Sequence, residues 1–182
     1  PSLDKTLKHF KNDIEHQITD VFIAFENACK NDNHELNITF EPLALNIRKA
    51  KSLAFRDVKN HFVRNENSYY HYFDMREEQL DLLKRMKFLI ENIQTKDPIL
   101  DRISQLLSEI GSNVNSNDYT ALRLHSLYEI RLSLDDLPLP TSHQALNSRA
   151  NIIQLLNELE EYLNIKSQFG SLKLHSEIKN YA

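Results

Sequence analysis

Apolar residues return every three or four positions along most of this chain, and only two glycines, Gly111 and Gly170, stand in 182 residues. The first stripe is Leu7, Phe10, Ile14, Ile18, Val21, Phe25 and Cys29, which predicts an amphipathic helix over residues 3–30. Hairpins and sheet corners draw on Gly and Pro for their turns, so a chain this poor in glycine has few ways to build an all-β fold. An apolar share of 41% against 26% charged residues is enough for a folded core. The expectation is an all-α helical bundle of long antiparallel helices, about four to six of them.

Further stripes continue the pattern. Leu43, Ile47, Ala50, Ala54, Val58, His61 and Phe62 form a second helix with Pro42 in its first turn. A third begins near Glu66 or Ser68, after a kink at "RNEN", and runs to about Gln94. Asp97 and Pro98 restart a fourth helix, which Gly111 ends. A fifth spans about 118–135, with Leu124, Leu127, Tyr128, Arg131 and Leu134 inward. Pro138 and Pro140 close it. Thr141 with Gln144 three positions on has the form of a capping box for a last helix reaching about Gln168. The domain reading is a single bundle over 1–170 and a C-terminal tail over 171–182.

Several function classes are disfavoured. Eight histidines are present, but paired E-x-x-H and H-E-x-x-H patterns are not; "DIEH" and "HYFD" only loosely resemble them. No phosphate-cradling loop, dinucleotide fingerprint or nucleophile elbow occurs. Neither an enzyme, a metal site nor a bound cofactor is expected. The lone Cys29 lies on an apolar stripe and reads as core. The net charge of −4 argues against a general nucleic-acid binder.

That charge is uneven, however. Residues 41–65 carry six Lys or Arg against two acids, and 97–137 carry three bases against seven acids. The basic helix either packs beside acidic ones or faces something anionic, such as a phospholipid leaflet. Arg48, Lys49, Lys51, Arg56 and Lys59 are the candidate membrane-facing residues.

The stretch "SYYHYFDMREEQ" (68–79) concentrates aromatic and polar chemistry. On a helical period Tyr69, Tyr72, Phe73, Arg76, Leu80 and Leu83 share a face, and Tyr70, Asp74, Glu77, Glu78 and Asp81 the other. Arg76 falls in the apolar register, as does Arg149 on the last helix. Either arginine facing inward needs a carboxylate or helix-end carbonyls, with Glu160 and Asp74 the candidates nearest in register. On the border of the stripe each would instead extend to water. Tyr69, Tyr72, Arg76 and Arg149 are therefore the candidate ligand or buried polar cluster.

Two segments, "SLAFRDVKNHFVRNENSYYHYFDMREEQLDLLKRM" (52–86) and "LPLPTSHQALNSRANIIQLLNELEEYLNIK" (137–166), resemble the C-terminal domain of the bacterial putative aromatic acid exporter family. The first carries Tyr69, Tyr70, Tyr72, Phe73, Met75, Arg76 and Gln79 of that family's tyrosine-rich motif. The second carries Leu139, Pro140, Thr141, Arg149, Ala150, Leu155, Leu159, Glu160, Leu163, Ile165 and Lys166. It departs from the motif at Ser142 and His143, where the family has Arg and an acid. The resemblance implies a cytoplasmic, non-catalytic regulatory or assembly domain that follows N-terminal transmembrane helices in a protein of the cell membrane. The partner it implies is that transmembrane domain; the basic helix adds an anionic lipid surface as an expected partner, a further copy in a homo-oligomer is a third, and no nucleic acid is expected. Two alternatives stand beside it: a sensor that binds a small aromatic carboxylate through Arg76 and the tyrosines, and a free-standing cytosolic interaction protein.

Overall fold

The structure, a computed structural model, describes residues 2–31, 35–60, 66–116 and 119–181, with side chains described for 2–31, 35–56, 68–116 and 119–171. Six helices follow one another: α1 Leu3–Lys30, α2 Glu41–Asn60, α3 Glu66–Glu91, α4 Ile99–Ser112, α5 Thr120–Asp135 and α6 His143–Tyr181. Among the described residues there is no strand, so the all-α bundle expected from periodicity is the fold. Ser2 opens α1 by accepting the Lys5 N–H at 3.3 Å.

The helices close into a ring, each against its neighbours in the order α1, α2, α3, α6, α5, α4 and back to α1, with α1 also touching α3 across the middle. Because α1 is flanked on three sides, its buried arc is wider than one stripe. Phe22, off the predicted stripe, is fully enclosed and meets Tyr162 edge-on at 5.1 Å. Ala50 and Ala54 are fully buried on α2, and their small side chains let α2 lie close to its neighbours. Val58, His61, Phe62 and the "RNEN" kink lie outside the residues whose side chains are described.

Cross-links fix the directions. Gln79 reaches the Tyr162 carbonyl, Arg85 reaches Glu158, and Asn151 reaches the Asn92 carbonyl, so α3 and α6 are antiparallel. Arg102 bonds Ser133 and Arg123 bonds Glu109, which makes α4 and α5 antiparallel as well.

Four local expectations are corrected. Gly111 does not end α4; it is helical and buried against α1, where a Cβ would stand 2.9 Å from the Phe22 Cβ. Its role is close helix approach, and Asn113 is the C-cap. The α6 cap is Ser142, whose Oγ accepts the Ala145 N–H at 3.1 Å, in place of Thr141. Tyr128, expected inward on α5, is exposed, because α5 lies on the rim and buries only Thr120, Leu127 and Ile130. Finally, α6 does not stop near Gln168 but continues to Tyr181. A lone glycine costs a helix about 1 kcal/mol and no proline follows Pro140, so nothing ends it sooner.

Candidate functional site

Arg76 is 1% exposed, and its three hydrogen bonds all go to protein acceptors. Nε donates to the Tyr72 hydroxyl at 2.9 Å, Nη1 to Gln79 Oε1 at 2.8 Å and Nη2 to the Val114 carbonyl at 2.9 Å. Tyr72 and Gln79 stand one turn to either side of Arg76 on α3, so the helix itself supplies two of the three partners. The guanidinium also lies 5.0 Å from the Tyr72 ring centroid.

Other helices complete the cluster. From α1, the buried Glu15 carboxylate faces the Tyr72 hydroxyl, which accepts from Arg76 and has its own proton left to donate. From α6, Lys166 donates to the Asn113 carbonyl at 2.7 Å. Tyr162 lies beside the guanidinium, close enough for the Arg76 charge to act on its hydroxyl, although that buried hydroxyl has no partner at hydrogen-bond geometry among the described residues. Burial pushes the Tyr72 and Tyr162 hydroxyls well above the usual phenol range, with Arg76 pulling partly back. Both are neutral at physiological pH. Burial, and then the Arg76 charge, bring the Lys166 ammonium down to about 8, while Glu15 opposes the fall.

Asn113 and Val114 sit at the C-terminal end of α4, where carbonyls lack helical partners and the helix dipole is negative. Two cations from different helices bind that end. This is how an enclosed arginine is held with no carboxylate hydrogen-bonded to it among the described residues: its acceptors are one backbone carbonyl, a phenol and an amide.

Arg149 belongs elsewhere. Its Nε donates to Asp97 Oδ2 at 2.8 Å, and both side chains are largely buried. Asp97 Oδ1 meanwhile accepts the Ile99 N–H at 3.2 Å, capping the start of α4. Neither arginine takes the partner expected from register. Glu160 binds Arg131 and Asp74 binds Lys51, because both acids point to the bundle's outside.

The structure therefore brings Tyr72 and Arg76 together but places Arg149 at the opposite end of α4. Tyr69 is half-buried and stacks on Phe73 at 6.2 Å, with no part in the guanidinium's hydrogen bonding. The aromatic-carboxylate pocket expected at Tyr69, Tyr72 and Arg76 is not open, since the guanidinium is enclosed and bonded to protein. Sequence reasoning missed Glu15, Gln79, Tyr162 and Lys166 as members of the cluster. Gln79 and Lys166 were visible as motif positions, and Tyr162 lies one turn beyond Leu159 in the buried register.

The basic helix α2 presents Arg48, Lys49 and Arg56 to solvent. Lys51 differs: it is half-buried, bonded to Asp74 at 2.8 Å and Glu77 at 3.1 Å, and 5.6 Å from the Tyr70 ring centroid. The Asp74 hydrogen bond is the largest influence holding its ammonium above the usual lysine range. The Lys59 side chain lies outside the described residues. Cys29 is buried and its thiol is pushed up to about 12, so it is protonated and unreactive at neutral pH. Among the described residues no group of acids, histidines or cysteines is arranged to hold a metal ion.

The chain is similar to known proteins in sequence and in fold. The chain is 30% identical over 174 residues to the uncharacterized protein YqjA of Bacillus subtilis strain 168, covering 95% of this chain and 54% of that protein. It thus spans about half the length of that relative. A crystal structure described as a putative membrane protein from Clostridium difficile 630 shares the fold, with a TM-score of 0.78, 18% identity, and coverage of 90% of this chain and 98% of that one. The family model of the putative aromatic acid exporter C-terminal domain matches residues 4–167, which take in all but the first residue of α1, all of α2 to α5 and every residue of the Arg76 cluster, and the chain belongs to that family.

Proposed function

We propose that this chain is the cytoplasmic C-terminal domain of a membrane-embedded exporter-family protein, and that it regulates or assembles the protein without catalysing a reaction. One observation carries the reading: Tyr72, Arg76, Gln79 and Lys166, drawn from both motif segments, direct their polar groups at one another and at the end of α4. Signature residues used in this way hold a scaffold together; they do not face a substrate. No helix among the described residues is long and apolar enough to cross a membrane. The membrane spans belong, on this proposal, to a portion of the full-length protein outside this chain, which spans about half the length of the relative it matches.

The experiment uses the full-length protein in bacterial membranes. Protease should cut this domain in inside-out vesicles and spare it in right-side-out ones. Removing the domain should change efflux of an aromatic acid such as p-hydroxybenzoate, or the protein's oligomeric state in detergent. A gene with no hydrophobic spans upstream, cleavage only from the outer face, or a deletion that leaves both readouts unchanged would each refute the proposal.

A further inference from the structure

The outward face of α2 combines charge with apolar surface. Arg48, Lys49 and Arg56 are exposed on it, Leu45 is 43% exposed and Phe55 is 46% exposed. At 100° per residue these five side chains fall within one arc of the helix, opposite the buried Leu43, Ile47, Ala50 and Ala54. From Pro42 to Arg56 there is no acidic residue, and Glu41, the first residue of α2, is the one acid at the start of this arc among the described residues. The acids nearest on α3, Asp74 and Glu77, are occupied by Lys51, which stands between them and the outward arc. Phe55 packs against Tyr70 with ring centroids 5.9 Å apart, so the ring is held at the surface by a second helix.

We infer that this face docks the domain on an anionic phospholipid leaflet, with α2 lying in the plane of the interface. The inference deepens the proposed function by naming the surface against which the domain rests. A helix lies in an interface when its cations meet lipid headgroups and its apolar side chains enter the acyl boundary. Leu45 and Phe55 among the cations favour a membrane over nucleic acid, which rewards charge along a phosphate track but offers exposed aliphatic side chains nothing comparable.

The magnitudes suit a tethered domain. Each Lys or Arg near an anionic leaflet strengthens association by roughly fivefold. Three such cations and two partly exposed apolar side chains give only weak, reversible binding to a free domain. Tethering to a transmembrane portion would raise the effective concentration at the bilayer and make the same contact prevalent.

The test uses this 182-residue chain and extruded vesicles, with phosphatidylcholine alone or mixed with phosphatidylglycerol, read by co-sedimentation. Binding is expected only to the anionic vesicles, at low ionic strength, fading as salt rises. Arg48→Glu with Lys49→Glu should weaken it by roughly tenfold or more. Lys96→Glu with Arg102→Glu, which changes net charge equally on a part of the molecule not adjacent to α2, should change it by less than about twofold. Leu45→Ser should weaken binding while leaving its salt dependence in place, and far-ultraviolet dichroism confirms that each variant is folded. No binding to anionic vesicles at any salt concentration, equal losses from the two double variants, or binding to a DNA duplex but not to vesicles would overturn the inference. Failure here leaves the protease orientation of the full-length protein untouched, so the two proposals fall separately.

Discussion

The two ends of α4 are held by the same chemistry in opposite arrangements. At the start, Asp97 caps the free N–H of Ile99 and so presents an acid, and Arg149 from α6 pairs with that acid. At the finish the helix presents its own carbonyls, and Arg76 from α3 and Lys166 from α6 bind them directly. A helix N-terminus needs an anion first and then attracts a cation to it, whereas a C-terminus accepts cations with no intermediary. Arg149 and Lys166 stand roughly 25 Å apart along α6, and α4, between Asp97 and Asn113, is roughly 21 Å long. The two helices are therefore parallel and matched in span, although they do not pack directly against each other among the described residues. Long cationic side chains bridge the gap between them.

The comparison breaks most sharply at Arg76. Arg76→Met leaves the Val114 carbonyl, the Tyr72 hydroxyl and Gln79 Oε1 without their donor in a buried setting. A loss of about 3–5 kcal/mol in urea unfolding is expected. An unchanged unfolding midpoint would mean that the C-terminal end of α4 does not depend on Arg76. At the other end Arg149→Met should cost less, about 1–3 kcal/mol, because that pair lies between the surface and fully buried cases. A double-mutant cycle with Asp97→Asn isolates the pair, and zero coupling energy would show that Asp97 serves only as a cap. Gly111→Ala sharpens the contrast again. The added methyl meets the Phe22 Cβ, which is anchored to the backbone and cannot swing aside. Overpacking should outweigh the gain in helix propensity and leave a net loss of about 1–2 kcal/mol in the same assay. A stabilised variant would show that α1 and α4 can separate freely at this end.

The same contrast explains what could be read from the sequence. Periodicity placed α1 with its observed limits, put Cys29 in the core and set Arg76 in the apolar register, because these depend on local spacing; whether Arg76 turned inward or reached to water stayed open. Asp97 and Arg149 were each visible singly, one as a cap and the other in the apolar register. Their pairing depends on α4 and α6 running parallel, which no local pattern states. The acceptors of Arg76 and Lys166 were less accessible still. Backbone carbonyls belong to every residue, so register reasoning turned to Asp74 and Glu160, whose carboxylates lie outside. Glu15 follows Ile14 on the edge of an apolar stripe, and only the approach of α1 to α3 gives it Tyr72 as a neighbour. Gly111 misled for a physical reason: glycine near a helix end fits both a C-cap and a close helix contact, and only the Phe22 distance separates them.

The smallest expected effect is the one most particular to the C-terminal end. Lys166 is half-buried beside Arg76, and its ammonium is brought from the ordinary lysine value of 10.5 down to about 8. Below about pH 8 both folded and unfolded chains carry that proton, and the folded state bears a constant penalty for keeping the charge near Arg76. Between about 8 and 10.5 the unfolded chain still binds the proton while the folded chain has released it. The contribution of this group to stability therefore rises with pH across that window. The neutral amine can still donate to the Asn113 carbonyl, so the bond survives deprotonation. Lys166→Met removes both the penalty and the bond, and at neutral pH these should nearly cancel, leaving a change below about 1 kcal/mol. Subtracting the variant's unfolding free energy from the wild type's at each pH cancels the background, including Lys51, which titrates at the far alkaline end. The difference should move in the wild type's favour from about pH 8 upward, and Arg149→Met, which retains Lys166, should show the wild-type slope. A flat difference would mean that water screens the two cations from each other and that Lys166 binds its proton equally in the folded and unfolded chains.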